Sequence, residues 1–375
     1  MFFFTIGVDT IDLPDKAGYN ITQIFFSRKI AHEYHSGFST DLTQTNHRGT
    51  NLEDDIMRPV LFPKIRFTPY AWGVLVYMLF VILWGAVVRV SGSGDGCGKR
   101  WPLCGEHLIP TFQSLAMLIE FSHRASTGLI IPLIGLLAIW SRFVFPRRHP
   151  ARTAALFAVL FMLSEGALGA ALVLFRLVTT NESLARSIMM PLHLVNTLFL
   201  LMALTLTAWW GAGAPAFTFR QRGVFKTMAI MLAVGLVWAT VVAASGSIAA
   251  LADTLYPVSS LGAAIHQDLN PGDHYLIRLR MIHPIISIAL GIYSIYLARF
   301  VVQIRPTLDT KRFSRAIGFV FAAEIGAGFL NVLLLAPMWM QLMHLLLADM
   351  LWIFLVLLTA SALAKRYYSG EDFDR

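Results

Sequence analysis

The chain has 375 residues, of which 56% are apolar and 14% are charged, and its mean hydropathy is +0.63. A soluble domain carries about 25% charged residues, so this composition excludes the soluble globular class. The net charge of +8 follows from basic residues placed around membrane spans and requires no nucleic acid partner.

The first part of the chain, residues 1–66, is polar and has no sustained hydrophobic periodicity. It is interpreted either as a disordered N-terminal extension or as an overcalled start ahead of Met57. Runs of about 20 apolar residues then recur, the length that crosses a hydrocarbon core of about 30 Å. Because backbone groups in lipid must be paired within each segment, the runs are predicted to be helices. They lie at roughly 70–90, 114–140, 153–175, 188–210, 225–245, 277–299, 315–337 and 341–363.

The predicted protein is therefore an all-α polytopic membrane protein with eight transmembrane helices. Lys and Arg are most frequent before the first run, after the last run and in every second loop between them. Because basic loops stay in the cytoplasm, both termini are predicted to be cytoplasmic. The loops at about 91–113 and 246–276 are expected on the extracytoplasmic side of the plasma membrane.

The eight runs divide into two similar units. The segment "VVRVSGS" (Val87–Ser93) matches "VVAASGS" (Val241–Ser247), and "SEGALGAAL" resembles "AEIGAGFL", which aligns Glu165 with Glu324. These matches predict two four-helix bundles, 67–212 and 213–366, followed by a tail at 367–375. Each unit has an even number of helices, so the repeats are predicted to be parallel, related by an axis along the membrane normal.

Four histidines lie inside the apolar runs, in equivalent positions of the two units: His123, His193, His283 and His344. A single such histidine is as well explained by a hydrogen bond between helices. Four of them in a duplicated bundle favour axial ligation of haem iron, by His123 with His193 and by His283 with His344. Nearby small residues would let helices approach closely or leave room for a flat macrocycle: Gly128, Gly166, Gly169, Gly326 and Gly328.

Charged residues flank these histidines. Arg89, Arg124 and Arg280 are candidate contacts for haem propionates, and equally they are ordinary interfacial arginines. Glu120 precedes His123 by three residues, so both project from one helical face, and its equivalent in the second unit is Arg280. A carboxylate there either moves a proton, stabilises positive charge on a substrate, or pairs with Arg124.

Both cysteines of the chain, Cys97 and Cys104, lie in one loop, "SGSGDGCGKRWPLCGEHLIP". Two thiols with one nearby histidine, His107, fall short of a zinc site. A structural staple and a reducible pair both remain open, and either would lie over His123 on the oxidising side.

Together, the cysteine loop, the "EFSHR" element and the three later histidines resemble the haem A synthase family, over about residues 68–365. The resemblance implies oxidation of the C8 methyl group of haem O to a formyl group, with Glu120 required for turnover. It further implies that His123 and His193 flank the substrate haem O, that His283 and His344 ligate a resident haem b, and that Cys97 and Cys104 form a disulfide. A haem O synthase and the terminal oxidase that uses haem A are the partners it suggests, and the electron-transfer partner is left open.

One departure is clear: the second outward loop has no cysteine pair, unlike that of some family members with cysteines. Two other functions share the same features. A diheme electron-transfer cytochrome would use the four histidines but gives no reason for the Glu120/Arg280 difference. A transporter would place the histidines in a proton path and would show helices broken near the membrane centre.

Overall fold

The computed structural model describes residues 64–105, 111, 113–217 and 222–365. The predicted tail at 367–375, and all but the last three residues of the predicted extension at 1–66, lie outside the described residues. The described part is nearly all helical. Its helices are α1 (Lys64–Val90), α2 (Leu115–Val144), α3 (Pro150–Leu174), α4 (Leu184–Gly211), α5 (Val224–Leu255), α6 (Leu261–Leu269), α7 (Tyr275–Arg280), α8 (Ile282–Ile304), α9 (Leu308–Leu333) and α10 (Met338–Ala362).

Eight spans among these helices are long and apolar enough to cross a bilayer, with α7 and α8 together forming the span Tyr275–Ile304. This confirms the prediction of an all-α multi-pass membrane protein with eight transmembrane helices. Local signals set several helix ends: the side chains of Ser114, Ser183 and Thr307 accept hydrogen bonds from the first turns of α2, α4 and α9. Pro150 opens α3, where its missing N–H removes no helical hydrogen bond.

The long helices of each half form a closed ring. In the first half α1 packs on α2, α2 on α3, α3 on α4 and α4 on α1; in the second half α5, α8, α9 and α10 pack in the same cyclic order. The halves meet through α4 against α5, α1 against α10 and α4 against α10. If α1, α2, α3 and α4 are exchanged with α5, α8, α9 and α10, the same set of helix contacts results. The pattern supports the predicted duplication, while the orientation of the repeats and the side of the termini stay predictions.

The ends of α3 and α9 provide a second likeness between the halves. Arg176 and Leu335, which lie just after these helices, both have a positive φ angle. In each case the next residue closes a six-residue turn, with Leu177 N–H donating to Leu172 O and Ala336 N–H donating to Asn331 O. This is the Schellman arrangement, formed here without glycine.

The apolar core lies away from the histidines. The largest cluster of buried side chains occupies the end of the first half where α1 begins and α4 ends, and includes Phe67, Leu201 and Trp210. Trp352 of α10 joins the same cluster, and its indole N–H donates to Leu198 O of α4 at 2.7 Å. The opposite end of the bundle, where α1 ends and α4 begins, is thereby left for polar side chains; it is called the disulfide end below.

The predicted loop at about 246–276 was wrong. Helix α5 continues to Leu255, and α6 and α7 fill most of the remaining segment. The alignment of "VVRVSGS" with "VVAASGS" was also wrong, because Gly92 lies in a turn with a φ angle of 66° whereas Gly246 lies inside α5. Serine and glycine are typical of turns, but here they serve packing between helices, as the site shows.

Because the largest buried cluster lies at the end of the first half where α1 begins, substitutions there should lower the free energy of unfolding most. Leu204 is fully buried in the core cluster, whereas Leu163 on α3 is 60% exposed on the outer face. Leu204→Ala is expected to lower the free energy of unfolding by about 2–5 kcal/mol, because it leaves a cavity in a packed interior. Thermal unfolding of the purified chain in detergent measures this, and Leu163→Ala should leave the midpoint nearly unchanged. Equal losses for the two variants would contradict the packing described.

Candidate functional site

All four predicted histidines lie near the disulfide end. Each of His123, His193 and His344 lies within about the first three turns of its helix, which is α2, α4 and α10 respectively. His283 is the second residue of α8 and lies at the same depth once α7 is included in its span. The structure therefore places the four imidazoles at one level, as the sequence predicted.

The two imidazoles of the second half lie close together. The ring centroids of His283 and His344 are 6.3 Å apart, with their planes nearly perpendicular at 83°. In the first half His123 and His193 lie against glycines of α1 and α3. The close approach of His283 and His344 supports the pairing expected from the sequence in the second half, and the pairing of His123 with His193 stays a prediction.

Each histidine ring faces a glycine of a neighbouring helix. A Cβ atom added at Gly246 of α5 would lie 2.9 Å from Cε1 of His283, and one at Gly85 of α1 would lie 3.0 Å from Cε1 of His123. Both distances are shorter than the 3.5–4.0 Å of an optimal carbon contact, so the ring occupies space that only glycine leaves. The same holds for Gly328 of α9 and His344, at 3.2 Å.

Sequence analysis had identified Gly169 and Gly328 as small residues but had missed Gly85 and Gly246. Their signal was present: Gly85 and Gly246 are 161 residues apart, close to the 160 that separate His123 from His283. The erroneous alignment placed Gly92 opposite Gly246 instead. Gly92 follows Gly85 by seven residues, which is nearly two helical turns. Aligning Gly246 with Gly92 or with Gly85 therefore matches similar faces of the first helix.

The Nδ1 atom of His283 has a partner that fixes its tautomer. Ser245 Oγ lies 3.0 Å from this nitrogen and itself donates to Val242 O at 2.7 Å. Its hydroxyl proton is therefore used, and the oxygen accepts from an Nδ1–H group. Nε2 of His283 is then unprotonated and free to bind a metal.

The two glutamates aligned between the halves approach the other pair of histidines. Glu324 Oε1 lies 3.1 Å from Nδ1 of His344, and Glu165 Oε1 lies 3.4 Å from Nδ1 of His193. Both are contacts of ion-pair length in which the ring N–H is not aligned as in a hydrogen bond. Carboxylates at this position orient metal-binding histidines and favour protonation at Nδ1. The sequence had aligned these two glutamates without assigning them a partner.

The surroundings of the two glutamates differ. Glu165 also accepts hydrogen bonds from the Asn196 side-chain amide, at 2.6 Å, and from the Thr197 hydroxyl, both on α4. Asn196 in turn accepts from Ser164 Oγ. Three and four residues after His344, the second half has Leu347 and Ala348 instead. Glu324 thus lacks these two donors, and its Oε2 is buried without a hydrogen-bond partner among the described residues.

Glu120 is buried, with 3% of its surface exposed, at the junction of α2 and the cysteine loop. Its Oε2 accepts the backbone N–H of Cys97 at 2.7 Å, and its Oε1 pairs with Arg124 at 2.5 Å. The salt bridge to Arg124, one of the alternatives left open by the sequence, is therefore present. All these partners are donors, which suits an ionised carboxylate.

The cysteine loop is a closed unit fastened to α2. Cys97 and Cys104 form a disulfide and are both buried, and Gly105 N–H donates to Cys97 O. Nη1 of Arg124 donates to the carbonyls of Arg100 and Leu103 at 2.6 and 2.5 Å. Arg124 therefore links the loop backbone to Glu120, which sits one turn from His123.

The other two predicted arginines also have protein partners. Arg280 forms ion pairs with Asp253 and Asp268, and its Nη2 contacts Gln267 Oε1 at 3.1 Å. Arg89 of α1 reaches across to the second half, where it donates to Ala250 O, Thr254 Oγ1 and Gln341 Oε1 at 2.7–2.9 Å. The partners of Arg89 are all neutral acceptors.

The second-half pair fits an axially ligated metal. Two imidazoles on opposite sides of one metal ion would have ring centroids about 6.4–6.6 Å apart, given metal–nitrogen bonds of about 2.0–2.1 Å and roughly 1.2 Å from each nitrogen to its ring centroid. The observed centroid separation is 6.3 Å, and both Nδ1 atoms lie next to protein partners, Ser245 and Glu324, so that Nε2 is the nitrogen left for a metal in each ring. Within the described residues no group of three or more His, Cys, Asp or Glu side chains is arranged to hold a metal ion. The site therefore matches a cofactor that takes two histidines.

The sequence matches proteins of known families. The sequence pattern of the COX15-CtaA family, described as cytochrome oxidase assembly proteins, matches residues 68–356. A protoheme IX farnesyltransferase of Thermus thermophilus is 42% identical over 309 residues, which are 82% of this chain and 50% of the relative. Heme A synthases of Alkalihalophilus pseudofirmus and Halalkalibacterium halodurans are 41% and 40% identical over 110 and 98 residues, or 37% and 33% of their lengths. The chain thus spans about half the length of the first relative, and the matched segments are about a third of the other two.

The fastening of the cysteine loop predicts how its disulfide responds to reductant. Arg124→Ala removes the donors to Arg100 O and Leu103 O and leaves the buried Glu120 without its cation. We expect the Cys97–Cys104 bond to be reduced about tenfold faster, because the loop opens more often to solvent. Dithiothreitol treatment followed by thiol labelling measures the rate. Lys99→Ala changes an exposed side chain of the same loop and should leave the rate unchanged.

Proposed function

Because the chain belongs to the COX15-CtaA family of cytochrome oxidase assembly proteins, we propose that it is a haem A synthase, oxidising the C8 methyl group of haem O to a formyl group. The observation that carries the proposal is the pair His283 and His344, whose ring centroids are 6.3 Å apart, a spacing at which both imidazoles could bind one haem iron. The equivalent pair in the first half supplies a second site of the same kind. Two such sites suit an enzyme whose substrate and cofactor are both haems.

In this proposal the second half holds a resident haem b through His283 and His344, and the first half holds haem O through His123 and His193. The bound haem b supplies electron transfer away from the substrate site. The protein orients the ligands: Ser245 and Glu324 hold the two rings of the second half with Nε2 directed away from their partners. Gly246 and Gly328 give those rings their space.

Glu120 is the proposed catalytic residue, and its contacts define what it can do. Its carboxylate lies one turn from His123 on the same side of α2 and is held by Cys97 N–H and Arg124. As a fixed negative charge it stabilises positive charge that develops at the methyl carbon. As a base it accepts a proton from an attacking water, at the expense of one of its present hydrogen bonds.

Arg89 is the best placed of the three candidate propionate contacts. Arg124 and Arg280 are already in ion pairs with Glu120 and with Asp253 and Asp268. Arg89 is hydrogen-bonded to neutral oxygens only, among the residues that the structure describes, and the acid that acts on its charge, Asp253, is itself ion-paired with Arg280. A propionate would therefore add to the balance of the charge of Arg89. Arg89 lies where α1 meets the second half, at the level of the histidines.

A diheme electron-transfer cytochrome is the second candidate, favoured by the equal depth and pairing of the four histidines. It does not account for the buried Glu120, which the first half has and the second replaces with Arg280. The relatives also favour the biosynthetic role: one is named for farnesylation of protoheme IX, which makes haem O, and others are named for haem A synthesis. A haem O synthase and a haem A-using oxidase are the proposed partners, and the plasma membrane, with the cysteine loop outside, is the proposed location.

The resident haem site can be tested by its optical spectrum. His283→Ala is expected to abolish binding of the second-half haem, because one axial ligand is lost. The pyridine haemochrome assay, which counts haem per purified chain, should fall by the occupancy of that site. His266→Ala, which removes an exposed histidine of α6, is the matched control and should retain the full spectrum. A spectrum unchanged in His283→Ala would remove this residue from the ligand set.

The reaction itself is tested by co-expression with a haem O source and chromatography of the extracted porphyrins. Wild-type chain should yield formyl haem, and Glu120→Gln should reduce its formation by about 10²–10⁴-fold, the usual contribution of such a group. Glu182→Gln, at an exposed position before α4, should have no effect. Bound haem without any hydroxymethyl or formyl product from the wild type would favour the diheme cytochrome.

A further inference from the structure

The histidine rings approach the neighbouring glycines more closely in the second half than in the first. In the second half both rings enter the space of a glycine, at 2.9 Å for Gly246 and 3.2 Å for Gly328 from the position of a Cβ. In the first half only His123 does so, at Gly85. His193 stays 3.8 Å from the corresponding position at Gly169, an ordinary contact distance for a Cβ that glycine lacks. The His193 ring therefore has unfilled space on its α3 side, and the dispersion contacts of a filled site are missing there.

The Nδ1 partners show the same difference. Glu324 approaches His344 to 3.1 Å, whereas Glu165 lies 3.4 Å from His193. Glu165 is also bound by Asn196 and Thr197, which stand one turn after His193 on the same helix. These donors compete with the ring for the carboxylate. Glu324 meets no such donors from Leu347 and Ala348, and its Oε2 has no hydrogen-bond partner among the described side chains.

His193 is thus held weakly on two independent grounds, the space at Gly169 and the shared carboxylate. His123 is fixed by Gly85 but has a buried Nδ1 without a hydrogen-bond partner in the described part of the chain. Trp84, adjacent to Gly85, contacts Ser122, whereas Ser245, adjacent to Gly246, contacts His283. No hydroxyl therefore replaces Ser245 in the first half.

We propose that the first half is an exchangeable haem site in which His193 is the histidine that would be released, while the closer contacts of His283 with Gly246 and of His344 with Gly328 and Glu324 hold both histidines of the second half more firmly. The inference rests on the proposed function, since a substrate haem must enter and a product haem must leave one site. Gly169 and Gly328 are then positioning residues that set how firmly His193 and His344 are held. Release requires only that the His193 ring turn into the space beside Gly169, leaving Glu165 paired with Asn196 and Thr197.

Opposite responses to one substitution test this proposal. In Gly169→Ala the added methyl fills the space at ordinary contact distance and should hold His193 more firmly. In Gly328→Ala the methyl comes within 3.2 Å of the His344 ring and should displace it by a few tenths of an ångström. Alanine raises helix propensity at both positions, so an effect through helix stability alone would have the same sign in both variants.

The measurement is transfer of haem from the full-length chain in detergent, loaded with haemin, to excess apomyoglobin. Wild type should show two phases that differ by about tenfold or more, the range over which ligand-orienting residues act. The fast phase should vanish in His123→Ala and the slow phase in His283→Ala. Gly169→Ala should slow the fast phase, and Gly328→Ala should speed the slow phase. A spectrum typical of two axial histidines before transfer checks that each variant is loaded.

Several results would overturn the inference. These are a single rate for both sites, a slow phase that belongs to the first half, a first-half site that does not load with haemin, or rate changes of the same sign in the two glycine variants. Failure of the proposed function looks different: the wild-type chain then binds no haem at either site, or binds it and forms no haem A. Unequal exchange without haem A formation would support the inference for a diheme protein and count against the synthase alone.

Discussion

The structure depends on fitting four imidazole rings between close-packed membrane helices. Each ring needs a gap in the packing, and a buried Nδ1 atom without a hydrogen-bond partner costs free energy. Glycine supplies the gap for three of the rings, at Gly85, Gly246 and Gly328. These contacts require α1 beside α2, α5 beside α8 and α9 beside α10, which are neighbours in the two helix rings. The positions of the histidine rings therefore determine which helices must be neighbours.

The spans and the histidine pairs were predictable because each depends on a property of the sequence alone. A bilayer requires about 20 apolar residues per helix, and a histidine inside such a run is rare enough to indicate a site. The continuation of α5 to Leu255 was not predictable from the same evidence. Ser245 and Gly246 have the composition of a turn, and only the His283 ring lying against them explains a helical serine and glycine there.

The side chains that contact the histidines could be aligned between the halves, but their contacts could not be assigned from the sequence. Glu165 and Glu324 stand out as equivalent acids in membrane helices, yet their contact with His193 and His344 joins different helices. Such contacts depend on rotation and depth of α3 against α4 and of α9 against α10, which hydropathy leaves undetermined. The arginines illustrate the same limit: Arg89 finds its acceptors in the other half of the molecule, 161 or more residues along the chain.

The residue three positions before the first histidine of each half, Glu120 or Arg280, connects its bundle to the segment that covers the disulfide end. Glu120 and Arg280 both bind the segment that lies beyond their helix at the disulfide end, but with opposite charge. Glu120 accepts the N–H of Cys97 in the loop, whereas Arg280 donates to Asp268 of α6 and Asp253 of α5. The second half thus anchors its covering segment with a cation surrounded by acids. The first half does so with a carboxylate next to His123, where negative charge favours a substrate that becomes positive. Replacing one anchor by its opposite gives two similar bundles a different charge beside their first histidines, and the cysteine loop is part of the anchor on the side where we propose that the reaction occurs.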